Sequence, residues 1–416
     1  MFKTLKKIPI DTRHQLISTF VVGLMFWSSL ASQLPTLPLY IKYLGGTTAQ
    51  IGLVMGSFAI GLLLCRSYLG RLADSRGRVL MIWVGLIVAA TVPLFYTTFT
   101  ALPMLITLRI LHGVSIGAFA TAYSALISDQ APPEHRGEII GYMSLVQPLG
   151  VGFGPAIGGW VQEEFGYTPL FIVASALAII GLVFAANLHE SPNFMQAQGT
   201  QAKLPMWATL ASPRVRVPAI VLLLVGVIFG ILSSFLPLLI KEQNIPLNAG
   251  LFYMTTAIAG FIIRVPIARI SDRYGRGLFI SIGLCFYGLA MLVIGTMPTR
   301  LAFIIAALFE GTGSGIVIPS IMTLLSDRTV LKERGFIFGL AWLGFDLGMA
   351  ACSPIIGSLI LFIGISGAFK IACGMAVIAL VVFSTQSSSS LKKSFLFAIG
   401  LEKDHYAQIS EGISVT

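Results

Sequence analysis

Charged residues are scarce in this chain of 416 residues, where Asp, Glu, Lys and Arg together make up 11%. An average soluble protein has roughly 25%. Hydrophobic residues make up 56%, against roughly 45–50% in soluble proteins. This imbalance excludes a soluble globular enzyme, a disordered scaffold and a coiled coil. Many of the 43 Gly and 20 Pro residues lie inside apolar runs, as membrane helices tolerate.

Cysteine is also rare, and the four residues lie in apolar stretches: Cys65, Cys285, Cys352 and Cys373. No Cys-x-x-Cys or Cys/His spacing accompanies them, so we interpret them as small buried hydrophobic residues and expect neither a disulfide framework nor a metal site. No His-Glu-x-x-His, Gly-x-Ser-x-Gly or phosphate-loop motif occurs. A membrane enzyme is therefore the weakest alternative, no cofactor is expected, and an ATP-driven pump would need a partner that supplies the ATPase.

Twelve apolar runs are long enough to cross a bilayer, which requires about 20 residues each. The first, which follows a basic start, is too long for the apolar core of a cleaved signal. The runs are 15–41, 48–70, 78–98, 101–127, 137–161, 167–188, 217–240, 248–269, 277–297, 300–326, 335–361 and 366–385.

Lys and Arg residues fix the expected orientation of these spans. With the N-terminus in the cytoplasm, 22 of the 27 fall at cytoplasmic ends and loops. Four fall on the outer face (Lys42, Lys241, Arg300 and Lys370) and Arg109 falls within the membrane. The positive-inside rule therefore places both termini in the cytoplasm. The dispersed positive charge predicts contact with a lipid bilayer and no nucleic-acid binding.

The chain repeats itself at an offset of 198 residues. The segment 70–78 matches 268–276 without a gap, and Asp129 matches Asp327 at the same offset. Both copies face the cytoplasm, so the repeat is parallel, as in transporters whose site lies between two halves. We predict an all-α membrane fold of twelve helices in two six-helix pseudo-symmetric bundles.

The predicted domains follow from this repeat. They are a first bundle over 1–188, a cytoplasmic linker over 189–215, a second bundle over 216–390 and a cytoplasmic tail over 391–416. The basic and apolar segment 391–401 either lies along the inner membrane surface or frays, and the sequence leaves both open.

The segment after the second span reads Gly70-x-Leu72-Ala73-Asp74-x-x-Gly77-Arg78. It resembles the loop signature of the major facilitator superfamily, and the resemblance extends over nearly the whole chain. It implies that Asp74 meets the N-terminal end of the eleventh span near Gly335, where the helix dipole favours an anion. The expected role is a latch for the outward-facing state. The residues assigned to this conformational gate are Gly70, Arg71, Asp74, Gly77, Arg78, Asp129, Asp272 and Arg276.

The fourth span carries Arg109 and, three residues later on the same helix face, His112. This segment resembles the family's motif with an arginine inside the membrane. A charge there costs at least ~2.5–3.5 kcal/mol, so we expect Arg109 to face the bundle interior or a wet cavity. Its role could be proton coupling, anion binding or bonding to backbone carbonyls. His112 is either a proton carrier or a satisfied interior histidine.

The fifth span carries a glycine-rich pattern that ends in Gly-Pro-x-x-Gly-Gly. It resembles the signature of the antiporter branch, and the nearest subgroup is similar to the twelve-span drug:proton antiporters. Glycine permits close helix packing and proline bends the helix, which suits a rocking motion. The residues assigned to the motif are Gly150, Gly154, Pro155, Gly158 and Gly159.

Many members of that subgroup carry an acidic residue in the first span, where this chain has Gln33 as the most polar central residue. A proton carrier must therefore lie elsewhere. Glu310 and Asp346 lie deep in the tenth and eleventh spans, and burial favours the neutral form of a carboxylate. The alternatives for either are an interhelical hydrogen bond and an ion pair with Arg109.

Aromatic side chains in the spans could stack on a lipophilic substrate, and we select Trp27, Tyr123 and Phe345, with Gln33, as cavity candidates. The leading hypothesis is proton-coupled efflux of a small amphipathic compound by a monomer in a bacterial inner membrane. A symporter for a sugar or another metabolite is the second hypothesis. A non-transporting sensor or assembly protein is the third, and an absence of solute flux would identify it.

Overall fold

The computed structural model describes residues 9–132, 135–190, 205–330 and 333–407, and the regular structure of these residues is helical. We number the helices in chain order. They are α1 Ile10–Ser32, α2 Leu37–Tyr43, α3 Thr48–Arg76, α4 Arg78–Thr98, α5 Leu102–Gln130, α6 Arg136–Met143, α7 Val146–Phe165, α8 Tyr167–Ala185, α9 Met206–Ala211, α10 Pro213–Glu242, α11 Ala249–Tyr274, α12 Arg276–Thr296, α13 Arg300–Asp327, α14 Arg334–Gln386 and α15 Leu391–Ala398.

Each of the twelve predicted spans coincides with helix. Within the described part of the chain, nine helical segments are long and apolar enough to cross a membrane. One of these is α14, whose 53 residues supply the eleventh and twelfth spans and bend at Gly364 (φ 70°, ψ 167°). The fifth and eighth spans are formed by α6 with α7 and by α11, whose apolar part is shorter.

Two of the predicted spans are interrupted next to a proline. The first span stops at Ser32 and resumes at Leu37, around Pro35. The fifth is interrupted at Ser144 and Leu145, because Pro148 has no N–H to donate to the carbonyl of Ser144 and its ring crowds that carbonyl. Despite its interruption, the first span is long and apolar enough to cross a membrane over Ile10–Tyr43.

The loop signature after the second span is mostly helix. Helix α3 continues through Arg76, and only Gly77 (φ 121°, ψ 143°) leaves the helical conformation before α4 begins at Arg78. Gly275 repeats this turn (φ 92°, ψ 141°) between α11 and α12. The predicted loop therefore shrinks to a one-residue turn in each copy, because positive φ is accessible to glycine at little cost.

The predicted linker 189–215 is only partly described, since 191–204 lie outside the described residues. Its described end contains the short helix α9, and the seventh span begins at Pro213 rather than at 217. Proline fits the first turn of a helix, where its missing N–H has no partner to lose. The predicted division into four domains stays a prediction.

The chain forms two compact units. The first contains the described residues of Met1–Gly199, Leu232–Ala257 and Ala350–Ile365. In it α1 packs against α7 and α8, α3 against α5, and α4 against α5 and α8. It also holds the end of α10 from Leu232, the start of α11 up to Ala257 and the middle of α14 over Ala350–Ile365. The positive-inside rule assigns these segments to the outer face.

The second unit contains the described residues of Thr200–Ile231, Ile258–Met349 and Ser366–Thr416. In it α12 packs against α13 and against the tail helix α15. Phe397 and Ser394 of α15 are buried, and the carbonyl of Phe397 lies against Gly277. The tail is therefore a packed helix, and its exposed apolar residues Leu391, Phe395 and Leu401 suit the inner membrane surface.

Candidate functional site

Arg109 and His112 lie in a buried aromatic cluster of the first unit. The guanidinium carbon of Arg109 is 4.4 Å from the centre of the Phe58 ring, a cation–π geometry. The hydroxyl of Tyr96 lies 3.4 Å from Nδ1 of His112, and Tyr96 lies within electrostatic range of Arg109. Tyr40 in turn donates to the Tyr96 carbonyl at 2.6 Å. The cluster holds a charge at membrane depth with aromatic faces and one hydroxyl.

Close contact between α3 and α5 creates this cluster. A Cβ at Gly61 would overlap the carbonyl oxygen of Ile110, and a Cβ at Gly113 would overlap that of Phe58. The two glycines therefore let the helix backbones touch, which brings Phe58 next to Arg109. Among the described residues, Nε of Arg109 and Nε2 of His112 have no hydrogen-bond partner. Either nitrogen could still form a hydrogen bond with water, and the Nε–H of Arg109 could act only as a donor.

Glu310 and Asp346 lie in the second unit, each only 4% exposed. Tyr287 lies near Ser314 and within electrostatic range of both Glu310 and Arg264. Glu310 is therefore part of a small polar group between α11, α12 and α13. Burial of this kind favours the neutral acid over the carboxylate unless a cation compensates.

Asp346 follows an aromatic group on α14. The ring of Phe345 lies 5.5 Å from that of Trp342 and 5.7 Å from that of Phe229 on α10. Phe345 is half-buried, so its ring has free surface. This candidate for the substrate cavity thus stands beside a candidate proton carrier.

The other cavity candidates belong to an aromatic stack in the first unit. Tyr123 stacks on Phe119, which stacks on Phe26, and Trp27 meets Phe26 edge to face. The hydroxyl of Tyr123 is buried without a hydrogen-bond partner among the described residues. Gln33 is buried, and its amide nitrogen donates to the carbonyl of Ser29. Trp27, Tyr123 and Gln33 stay predictions as substrate contacts.

The gate residues form ion pairs that repeat with the sequence. Arg78 pairs with Asp129 and donates to the carbonyl of Ala125 at 2.9 Å. At the offset of 198, Arg276 pairs with Asp327 at 3.1 Å. Each pair joins the start of one helix to the end of the next helix. The side chains of Arg71, Asp74 and Asp272, and the surroundings of Gly70, lie outside the described part of the structure, so the latch stays a prediction.

The glycine-rich motif of α7 presents two faces. Gly150, Gly154 and Gly158 lie against the backbone of α1, where a Cβ at Gly158 would overlap the Ser32 carbonyl. Pro155 and Gly159, with Gly152, face α11 instead, at Gly250, Asn248 and Ala257. The motif therefore allows one helix to approach two neighbours, one from each half of the sequence.

The first unit contains two contacts of the same kind, in which a backbone carbonyl lies against a glycine. The carbonyl of Pro155 fills the space beside Gly250, and the carbonyl of Ser353 fills the space beside Gly52. These positions are related by the same offset of 198 residues. We call these two contacts, Pro155–Gly250 and Ser353–Gly52, the glycine closure. Each joins a helix of the first sequence half to a helix of the second.

Asn248 supports the glycine closure, and the sequence analysis missed it. It immediately precedes α11, and its side-chain oxygen accepts a hydrogen bond from the backbone N–H of Gly250 at 2.6 Å. This is the geometry of an N-cap. An asparagine just before an apolar periodic run is a helix-start signal, so this residue was open to prediction. Tyr96 and Phe58 were not, because their role depends on which helices meet.

Most of the chain matches one known protein family. Residues 16–298 and 261–396 match the model of the Major Facilitator Superfamily. The chain belongs to this superfamily. It is therefore a multi-pass membrane protein and a secondary transporter of small molecules, not an enzyme, and the predicted all-α fold is confirmed.

Superfamily members among characterised proteins include efflux pumps. The chain is 26% identical over 363 residues to the "Multi-drug resistance efflux pump PmrA homolog" of Lactococcus lactis, covering 84% of this chain and 89% of that one. It is 27% identical over 374 residues to the "Quinolone resistance protein NorA" of Staphylococcus aureus, covering 87% and 94%. The predicted resemblance to drug:proton antiporters agrees with both.

Solved superfamily structures share the fold. The nucleoside transporter NupG superposes with a TM-score of 0.71 at 15% identity, covering 88% of this chain and 97% of NupG. A bacterial homolog to the human lysosomal transporter Spinster superposes with a TM-score of 0.68 at 14% identity, covering 94% and 97%. At these identities the likeness concerns the fold alone.

Proposed function

We propose that this chain exports small amphipathic compounds from the cytoplasm in exchange for protons, by alternating access. In this proposal it acts as a monomer in the plasma (inner) membrane of a bacterium, with both termini in the cytoplasm. The efflux relatives support the direction of transport, and the 22-to-4 distribution of Lys and Arg supports the orientation.

The observation that carries the proposal is the glycine closure. Its two contacts join the sequence halves at the end of the spans that the positive-inside rule assigns to the outer face. Backbones that touch there leave no room for a solute between them. The described conformation therefore fits the state that loads substrate from the cytoplasm, and opening of the glycine closure would release the substrate outside.

Protons enter the proposal through the buried carboxylates. Glu310 and Asp346 are each only 4% exposed, and burial of a carboxyl group penalises its charged form. In this proposal one of them carries the proton, and binding of a cationic or dipolar substrate favours the carboxylate and displaces that proton. The same site then rebinds a proton when it faces the more acidic outside. This exchange couples export to the proton gradient.

The roles of the first-unit cluster are supporting ones in this scheme. Arg109 keeps a fixed positive charge over Phe58, so it disfavours a cationic substrate beside it. We assign the substrate to the aromatic group around Phe345. In this scheme the charge of Arg109 stays the same throughout the cycle, while a carboxylate of the second unit gains and loses a proton.

Proton release on substrate binding tests the proposal. The purified protein is placed in weakly buffered detergent with a pH dye, and tetraphenylphosphonium and a neutral amphiphile are added in turn. Wild type is compared with Glu310→Gln and Asp346→Asn, and with Asp327→Asn as a control on the same helix as Glu310. Release by wild type and the control, lost in one carboxylate variant, identifies the carrier.

Other outcomes contradict specific parts of the proposal. Release that persists in both variants overturns the assignment to Glu310 and Asp346. Binding without release overturns proton exchange, and accumulation of substrate inside right-side-out vesicles driven by an inward proton gradient establishes a symporter instead. An absence of flux in proteoliposomes overturns transport by this chain.

A further inference from the structure

A pocket of about 400 Å³ lies in the first unit. Residues of the first sequence half line one side of it: Pro35, Thr36, Leu39, Gly159, Gln162, Glu163 and Tyr167. Residues of the second half line the other side, within Pro237–Ala249. The size is that of sites for drug-sized molecules. By the positive-inside rule the pocket belongs to the outer ends of the spans.

The lining of the pocket combines two opposite charges with apolar surface. Glu163 and Lys241 both line it, and neither has an ion-pair partner among the described residues. Gln162 and Asn244 add amide groups, and Leu39 and Ile245 add apolar surface. A ligand with a single charge satisfies only one of the two ionised groups. A zwitterion with an apolar body satisfies both.

The pocket adjoins the glycine closure. Gly159 and Asn248 line the pocket, and Asn248 also caps the helix start at Gly250, where the Pro155 carbonyl makes its contact. The pocket therefore exists only while the helices of the two sequence halves are together. A molecule bound in it gains contacts that are lost when the glycine closure opens, so it stabilises the closed state.

We propose that this pocket binds a small zwitterionic amphiphile from the outer side and that the bound molecule inhibits transport by holding the glycine closure shut. The inhibitory part rests on the proposed function, because it requires that the glycine closure open during the cycle. We expect the inhibition to be non-competitive towards substrate added in the cytoplasm, because neither Phe345 nor Asp346 lines the pocket.

The dipeptide leucyl-tryptophan is a suitable probe, because it is zwitterionic at neutral pH, has an apolar body and does not cross membranes. Binding of the radiolabelled dipeptide to the purified protein is measured by equilibrium dialysis. We expect Glu163→Gln and Lys241→Gln each to weaken binding at least about tenfold, since each removes a charge-assisted contact. Glu164→Gln, which is adjacent but does not line the pocket, should bind like wild type.

A crosslink tests the link to the closed state. A Cβ at Gly152 would lie 3.0 Å from Cβ of Ala257, which is shorter than the roughly 3.5–4.5 Å of a disulfide, so a small separation of the two helices admits the crosslink. The variant Gly152→Cys/Ala257→Cys, with the four native cysteines replaced by serine, should lose transport on oxidation and recover it on reduction. The oxidised protein should still bind leucyl-tryptophan at least as tightly as the reduced one.

The two proposals fail separately. If the dipeptide does not bind, or binds to Glu163→Gln and Lys241→Gln as tightly as to wild type, the pocket proposal is overturned while transport stands. If binding of the dipeptide depends on both residues but proteoliposomes show no flux, the binding pocket stands and the proposed function is overturned. If oxidation abolishes binding, the pocket belongs to another state than the closed one.

Discussion

Both carboxylate oxygens of Asp404 bind the guanidinium of Arg328, with Nε–Oδ2 and Nη2–Oδ1 distances of 2.8 Å each. Arg328 is 0% exposed and also donates to the carbonyls of Arg214 and Ser387, at 3.2 and 3.0 Å. One side chain thus joins the end of α13 to the start of α10, the end of α14 and the tail. These contacts make the tail a structural part of the second unit.

Asp404→Asn should destabilise the protein by on the order of 3 kcal/mol, because it leaves a buried guanidinium without its counter-charge. The measurement is thermal unfolding of the purified protein in detergent micelles. Glu402→Gln changes an acidic residue two positions away and should leave the unfolding temperature as in wild type. Equal unfolding temperatures for Asp404→Asn and wild type would show that the Arg328–Asp404 pair does not stabilise the second unit.

The two repeated ion pairs should differ in strength. Asp129 is 13% exposed and Asp327 is 42% exposed, and their arginines follow the same order. Asp327→Asn should cost about 0–1 kcal/mol of stability, as for surface pairs. Asp129→Asn should cost more, about 1–3 kcal/mol, because its partner is left largely buried. Chemical denaturation in mixed micelles measures both, and a larger loss for Asp327→Asn would contradict this ranking.

Gly158→Ala should disrupt the contact between α1 and α7. The added methyl group overlaps the Ser32 carbonyl, so the backbones must separate, at about 1–3 kcal/mol, and transport should fall. Gly141→Ala is the matched control, because a Cβ at Gly141 has no heavy atom within 4 Å. It should retain transport. Initial rates in proteoliposomes decide, normalised to the amount of inserted protein.

Gly364→Ala should destabilise the bend between the last two spans. Gly364 adopts a conformation (φ 70°, ψ 167°) that is almost restricted to glycine and costs other residues about 1–3 kcal/mol. A Cβ there meets no heavy atom within 4 Å, so the effect is one of backbone strain alone. Gly374→Ala, which is helical and equally open, should be neutral or slightly stabilising. Unfolding of both variants side by side compares them directly.

The spans were predictable because apolar length and the positions of Lys and Arg are properties of single segments. The repeat at an offset of 198 was predictable from charged residues, and the ion pairs Arg78–Asp129 and Arg276–Asp327 follow it in three dimensions. The breaks at Pro35 and Pro148 were missed, because hydropathy runs through a proline that interrupts the backbone hydrogen bonds.

The contacts of the buried residues were not predictable from spacing. Arg109 and His112 were identified as a pair on one helix face, but the aromatic surroundings come from α3 and α4, which pack against α5. Likewise, nothing in the segment around Arg328 indicates a partner 76 residues away. Such contacts depend on how helices meet, and one sequence does not encode that in local patterns.

The glycine closure carries no net electrical charge, because Gly52, Ser353, Gly250 and Pro155 have no ionisable side chains and meet through backbone groups. A membrane potential does no work on such contacts, and neither salt nor acidity alters their strength. In the proposed cycle the energy that opens them must therefore come from elsewhere in the protein. A change of charge at another position would move the helices, and this movement would separate the contacts. The outer gate of this transporter would follow events elsewhere in the protein rather than sense the gradient itself.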